Sequence, residues 1–547
     1  MEKNLPAIGQ SSARFLTPGR CRLIFAILVV GNFLIGWRFL THDCPIDLSG
    51  DEAQYWTWSR HLDWSYYSKG PLIAWIIRGS CAVLGNTMPA VRFPALLLAA
   101  GTSICVYWLT RKLFGSDRLA LGSFLLCGIV PMYIAGGTLM TIDPPFFFCW
   151  ALATFLAAKA ILDQRRFVWL AVGAVVGIGF LAKYSMLLWL PSMLIFLCFD
   201  SGGRRWLKTI WPWMAIVIAL VCTMPVIVWN AQHDWVSFRH VATQTGTNET
   251  GGFSRGNLLE FIASQIAIVN PALAAVMAGA MVYAMGHWSA ADPHRRQMRY
   301  LLCIGLPFYL ICLLDSLRTK VQGNWAAPAY FTLLILTAYF LSTRLSDNRR
   351  WRPWRGWFYG AIVLGIAVGP LLRDASVFYP AALWIDRHFP KADGLPRLTP
   401  SNFDLVYKLR GISDPFAKTV WAELQKLPPG SFILCEDYQD ASQLEFYVPG
   451  QPKTYFVGSY WTNPILRRRL TQFDLWPDRQ LDRPELLGKD AIYIGTTAYE
   501  PFKNSFAQVE KLSDITVSRN GMEIRSFPIW RCIGFKGMHR PIGDGSF

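Results

Sequence analysis

From residue 23 to residue 372 the chain alternates long apolar runs with short polar turns, and the runs approach the ~20 residues that a helix needs to cross a bilayer. Eleven such segments stand out, at 23–40, 90–110, 119–138, 144–162, 167–182, 184–200, 209–229, 258–286, 300–315, 325–343 and 357–372. Residues 41–89 break the rhythm. There, apolar and aromatic side chains recur at helical spacing in "AQYWTWSRHLDW" and "PLIAWIIRGSCAVLG", which predicts two amphipathic helices lying along a membrane interface. Beyond residue 373 the pattern changes again, to short β-rich runs ("SFILC", "KTYFVG", "AIYIG") and helical stretches such as "DPFAKTVWAELQKL". The expected fold is therefore mainly α. A polytopic membrane helix bundle occupies 1–372, with a first outer loop at 41–89, and a small soluble α/β or α+β domain follows at 373–547.

Composition agrees: of the 547 residues, 53% are hydrophobic and only 16% charged, against the roughly one quarter charged of ordinary soluble domains. Residues 373–547 hold 22 of the 53 Lys and Arg and 20 of the 36 Asp and Glu, so +15 of the net +17 belongs to the membrane half. That distribution suits topology-setting loops and anionic lipid headgroups, not nucleic acid. The basic clusters Arg14/Arg20/Arg22, Arg111/Lys112/Arg118, Arg165/Arg166, Arg204/Arg205/Lys208, Arg295/Arg296/Arg299 and Arg344 through Arg355 all fall on one side of an eleven-span bundle. By the positive-inside rule that side is cytoplasmic, so the N-terminus is inside and the C-terminal domain outside, in the manner of a multi-pass plasma (inner) membrane protein. The run after Arg22 lacks a small-residue cleavage site and reads as an uncleaved first span. Ten of the twelve cysteines lie in the membrane half without metal-site spacing and read as packing residues. Only Cys435 and Cys532 lie beyond it, and a disulfide between them is left open.

Candidate chemistry gathers on the face opposite the basic clusters. Asp51 and Glu52 in "SGDEAQYW" open the first amphipathic helix, where the helix dipole stabilises carboxylates, so capping alone accounts for either. Lys69 in "YYSKGP" supplies a cation at the same surface, with snorkelling as its plain alternative. Asp143 in "TIDPPFFF" lies between two spans; it is either a cavity carboxylate or an Asx turn before Pro144. Lys183 in "FLAKYSMLL" and Arg318 and Lys320 in "SLRTKVQGNW" complete the set, each readable alone as an interface charge. Together, carboxylates able to act as general base and cations able to stabilise a departing phosphate suit transfer from a phosphate-linked lipid. No GxxxxGK[ST] loop occurs for nucleotide binding.

The stretches "GDEAQYWTWSRHLDWSYYSKGPLIAWIIR", "VRFPALLLAAGTSICVYWLTRKLFG", "TIDPPFFFCWAL", "GFLAKYSMLLWLPS", "VIVWNAQHDWVSF" and "TKVQGNWAAPAYF" resemble the GT-C membrane glycosyltransferases of glycosyltransferase family 39, which include protein O-mannosyltransferases and are related to aminoarabinose transferases acting on lipid A. The resemblance implies a sugar donor on a polyprenyl phosphate, an extracytoplasmic site and inversion at the anomeric carbon. It further implies Asp51 as base with Glu52 beside it, Asp143 as a second acid, and Lys69, Lys183, Arg318 and Lys320 as phosphate-binding cations. The MIR loops and HxH-type pattern of eukaryotic protein mannosyltransferases are missing, so the acceptor stays open among lipid, glycan and protein. A divalent metal also stays open, with Asp51 and Glu52 as its candidate ligands.

The expected protein is a glycosyltransferase moving a sugar from a polyprenyl-phosphate donor to an acceptor at the outer face, in contact with membrane lipids. Its competitor is a multispan transporter or lipid-linked sugar flippase, which would place ionisable residues or broken helices near the midplane.

Overall fold

The computed structural model describes residues 16–42, 44–244, 257–288, 292–344, 352–388, 399–404, 406–463, 467–496 and 500–540. The chain forms two compact units. The first comprises Met1–Thr41, Lys69–Ile73 and Arg92–Gly369; the second comprises His42–Ser68, Ala74–Val91 and Pro370–Phe547.

All eleven apolar segments are helical. Six helices are long and apolar enough to cross a membrane: Pro18–Thr41, Met88–Phe114, Asp143–Leu162, Trp211–Gln232, Arg295–Asp315 and Gly323–Thr343. Two bent pairs raise that number to eight among the described residues. The eleven expected spans differ from this because several segments are interrupted. Residues 119–138 form two helices, Asp117–Gly128 and Pro131–Gly136, the second restarting at a proline. Leu258–Val269 and Pro271–Gly286 bend by 103° at Asn270, whose φ of 93° lies in the left-handed region. Val168–Ala182 and Tyr184–Phe199 are shorter apolar helices, separated by Lys183 in extended conformation.

Small residues set the helix contacts in the first unit, as expected where no hydrophobic force drives helices together in lipid. Gly173 lies so near the Ala215 carbonyl that a methyl group would come within 2.3 Å of its oxygen, and Gly177 meets Cys222 similarly.

Among the described residues, ion pairs engage three of the six basic clusters at one end of this bundle. Arg22 and Arg111 both reach Asp117, at 3.0 and 3.1 Å, and Lys112 pairs with Asp163. Gln297 donates to the Leu113 carbonyl (3.1 Å), while Arg296 binds Asp200 at 2.8 Å. Arg14 and the side chains of the 344–355 cluster lie outside the described residues. Helix Asp143–Leu162 has 20 residues, so Asp143 stands ~30 Å along the axis from the end marked by Asp163.

In the second unit, strands β1 (Phe432–Cys435), β2 (Thr454–Phe456) and β3 (Ala491–Ile494) are the three expected runs, and they pair in parallel. Strands β4 (Phe506–Lys511) and β7 (Ile529–Phe535) extend the sheet antiparallel in the order β2-β1-β3-β7-β4, and β5 (Ile515–Arg519) pairs with β6 (Met522–Phe527) as a separate ribbon. Cys435 on β1 and Cys532 on β7 are both free. They are separated by β3 and belong to the apolar clusters on opposite faces of the sheet, so the disulfide left open by the sequence is not formed.

Residues 42–68 pack within this same unit. The Leu48 N–H donates to the Tyr447 hydroxyl (2.7 Å), Gln443 donates to the Leu48 carbonyl (2.8 Å), and Trp56 meets Phe446 edge to face. The first of the two amphipathic helices expected in the loop forms at Gly50–Arg60, the second at Leu72–Leu84.

Asp440 pairs with Arg525 at 3.0 Å, yet burial outweighs the guanidinium and pushes its carboxyl up to about 6. A raised folded-state pKa means that the protonated acid stabilises the fold at low pH, and that this contribution is lost as pH rises from about 4, the unfolded value, through about 6. Thermal unfolding of the full chain at pH 5 and pH 7.5 is therefore expected to show a smaller gap in Asp440→Asn than in wild type; equal gaps would contradict the assignment.

Candidate active site

At the end of the first unit remote from the ion-paired clusters, three polar side chains from distant parts of the sequence converge. Pro144 and Pro145 start helix Asp143–Leu162, since proline tolerates the first turn, and Asp143 sits there where the helix dipole favours a carboxylate. Lys183 interrupts two apolar helices, and its Nζ lies 2.9 Å from Asp143 Oδ1 and 5.3 Å from the centre of the Phe146 ring. Asn324, in the short turn Gly323–Ala326, donates from Nδ2 to Asp143 Oδ2 at 2.8 Å. Asp143 is only 5% exposed. A carboxylate so enclosed needs its counter-charge, and breaking a buried pair by removing one partner typically costs 3–5 kcal/mol.

Lys69 belongs to the same unit. Its neighbour Gly70 is pressed against the Leu181 carbonyl, where a methyl would sit 2.2 Å from the oxygen. Only glycine allows that approach, and it carries the Lys69 main chain to the segment that leads into Lys183. Lys320 is engaged elsewhere, pairing with Glu260 at 3.0 Å with both side chains more than half exposed. Arg318 is exposed in the turn after helix Arg295–Asp315, its N–H donating to the Asp315 carbonyl (2.9 Å).

Asp51 and Glu52 belong to the second unit and differ in role. Ser49 and Glu52 form a capping box: the Glu52 carboxylate accepts from the Ser49 N–H (3.0 Å), and the Ser49 hydroxyl accepts from the Glu52 N–H (3.1 Å). Glu52 is fully buried. Asp51 is exposed and accepts a hydrogen bond from Gln439 Nε2 at 3.0 Å. Burial and, next, the Asp51 charge push the neighbouring Tyr438 hydroxyl above its ordinary value.

Among the described residues no three His, Cys, Asp or Glu side chains gather as a metal site. Glu52 serves the helix cap, which leaves Asp51 as the exposed carboxylate of the pair.

Asn324 and Gln439 were not among the residues singled out from the sequence. The polar "QGNW" before the apolar run at 325 is a visible signal for the first. Gln439 meets Asp51 across 388 residues, and nothing local announces it.

Residues 68–229 match the family model described as dolichyl-phosphate-mannose-protein mannosyltransferase, a stretch holding Lys69, Asp143 and Lys183. The lipid A galacturonosyltransferase RgtD of Rhizobium johnstonii is 33% identical over 321 residues, 58% of this chain and 65% of that protein. The undecaprenyl phosphate-alpha-4-amino-4-deoxy-L-arabinose arabinosyl transferase of Pseudomonas paraeruginosa is 28% identical over 184 residues, 32% of each chain. The chain thus spans just under two thirds of the first relative and about a third of the second. The crystal structure of ArnT from Cupriavidus metallidurans bound to undecaprenyl phosphate superposes with a TM-score of 0.56 at 17% identity, covering 92% of this chain and 98% of that one; the apo structure matches equally well, at 16% identity. Sequence similarity thus links part of the chain to these sugar transferases, and the fold it shares with ArnT extends over nearly the whole chain.

Proposed function

We propose that this protein transfers a sugar from a polyprenyl-phosphate donor to a lipid acceptor of the lipid A type, with inversion at the anomeric carbon. The observation that carries the reading is the Asp143, Lys183 and Asn324 cluster, a buried carboxylate and ammonium held at the end of an apolar bundle within the stretch that matches the family model. Charge is costly there and persists where it serves a function. Support for the donor and acceptor comes from the names of the relatives, and support for the orientation from the ion-paired basic clusters at the opposite end. In this reading residues 1–372 are the membrane body and 373–547 an extracytoplasmic domain. The N-terminus is cytoplasmic, and the reaction takes place outside.

The acceptor hydroxyl attacks the anomeric carbon as the bond from that carbon to the phosphate oxygen breaks. The bonding electrons leave with polyprenyl phosphate, whose growing negative charge Lys183, with Lys69 beside its segment, stabilises. Asp51, exposed and oriented by Gln439, takes the hydroxyl proton. Glu52 keeps the helix that presents Asp51 capped, and Asp143 holds Lys183 in place. Lys320, paired with Glu260, and exposed Arg318 are secondary phosphate contacts in this scheme.

The 103° bend at Asn270 and the break at Lys183 favour the flippase as second reading, since broken helices mark transport sites. The charges, however, stand at helix ends.

Purified protein in lipid nanodiscs, given polyprenyl-phosphate galacturonate, aminoarabinose or mannose with lipid A, is expected to consume one donor and yield a glycosylated lipid by mass spectrometry. Donor left intact while moving between leaflets of a proteoliposome would favour the flippase. Lys183→Ala is expected to raise the donor KM and, by exposing the enclosed Asp143 charge, to lower the melting temperature. Asp51→Asn should cut kcat by ~10²-fold or more at unchanged stability, as loss of a general base does. Glu52→Gln, which preserves the cap, should retain turnover, whereas Glu52→Ala should lose about 1 kcal/mol of stability. A loss of turnover in Glu52→Gln equal to that in Asp51→Asn would return Glu52 to the chemistry.

A further inference from the structure

We infer that Asn324 is a positioning residue, which fixes the Asp143 carboxylate so that Lys183 presents its ammonium to the donor phosphate; the inference rests on the functional reading above. The torsion that turns a carboxylate about its last carbon–carbon bond is broad, so a single ion pair leaves Asp143 free to rotate and Lys183 free to follow it. Here the two oxygens are held from two different elements: Oδ1 by Lys183 at 2.9 Å and Oδ2 by Asn324 at 2.8 Å. Two such hydrogen bonds define the plane of the carboxylate.

The chemistry of the amide matters. A second cation in its place would compete with Lys183 for Asp143 and for the phosphate, and a second carboxylate would trap the lysine between two anions. Asn324 adds a donor and no charge, which leaves the ammonium able to respond to an incoming anion.

Asn324 is itself anchored by a polar chain buried among the helices. The Tyr330 hydroxyl donates to Gln265 Oε1, and Gln265 Nε2 donates to the Gly323 carbonyl at 3.1 Å. Tyr330 is fully buried and Gln265 is 4% exposed. Gly323 packs directly on helix Leu258–Val269, where a methyl group would lie 2.5 Å from Ile268 Cδ1 and 3.0 Å from Ser264 Oγ. The turn that carries Asn324 is thus clamped on the carbonyl of the preceding residue. Hydrogen bonds between helices in an apolar bundle serve as glue, but glue alone does not require that the chain end on the carboxylate of an ion pair.

The test is a double-mutant cycle on the full-length protein in nanodiscs, with wild type, Asn324→Ala, Asp143→Asn and the double variant, reading donor KM, kcat and melting temperature. Asn324→Ala is expected to raise the donor KM roughly tenfold, the size of one lost charge-assisted hydrogen bond, with kcat within about twofold. In the Asp143→Asn background it should raise KM no further, because Asn324 acts through that carboxylate. The near-isosteric Asn324→Asp covers the case in which alanine fails to fold. Its second carboxylate competes for the Lys183 ammonium and should raise the donor KM at least as far as alanine does. Fully additive KM effects, or a fall in melting temperature with KM unchanged in both Asn324 variants, would overturn the inference while leaving the functional reading intact. A wild-type protein that consumes no donor of the panel overturns both.

Discussion

An ionised side chain among apolar helices is tolerable only with a counter-charge and satisfied hydrogen bonds, and the pairing of Asp143 with Lys183 meets that constraint for the first unit. Several local features depend on it. The proline pair starts a helix so that Asp143 lands in its first turn, and an extended Lys183 interrupts an otherwise continuous apolar stretch. Gly70 yields its side chain to let the backbone pass the Leu181 carbonyl. Each of these would be a defect in a plain membrane-spanning helix. Around a buried ion pair they are the conditions for bringing its members together.

The opposite end of the bundle obeys the same electrostatics with a different result. Arg22, Arg111, Lys112 and Arg296 find carboxylates on neighbouring helices, in partly exposed pairs of modest individual strength. Their value lies in register: they link helix ends that the chain reaches far apart in sequence. One end of the helices is thus stitched by many weak pairs and the other organised by one enclosed pair. That asymmetry gives the basic clusters of the sequence a structural role at one end of the bundle.

In the second unit the organising device is the capping box at Ser49 and Glu52. It uses up one of two adjacent carboxylates and leaves the other at the surface, so neighbours identical in charge acquire different duties. The helix that carries them is fastened to the helix Tyr438–Tyr447 through Leu48, Gln443 and Tyr447, which sets Gln439 against Asp51.

The sequence by itself determined the apolar segments, the amphipathic pair at 41–89, three strand-forming runs and the acidic and basic candidates, because hydrophobic period and isolated charges in apolar runs are local properties. It could not separate Glu52 from Asp51, since a capping box and a catalytic acid use the same residue types at the same helix start. Nor could it show that eleven apolar segments include bent and shortened helices, because a break such as Asn270 depends on what the bent backbone packs against. Only tertiary structure set Cys435 and Cys532 on opposite sheet faces, bound Lys320 to Glu260, and joined Asn324 and Lys183 to Asp143 from 181 and 40 residues away. Such contacts are decided by the packing of whole helices, which no short window of sequence contains.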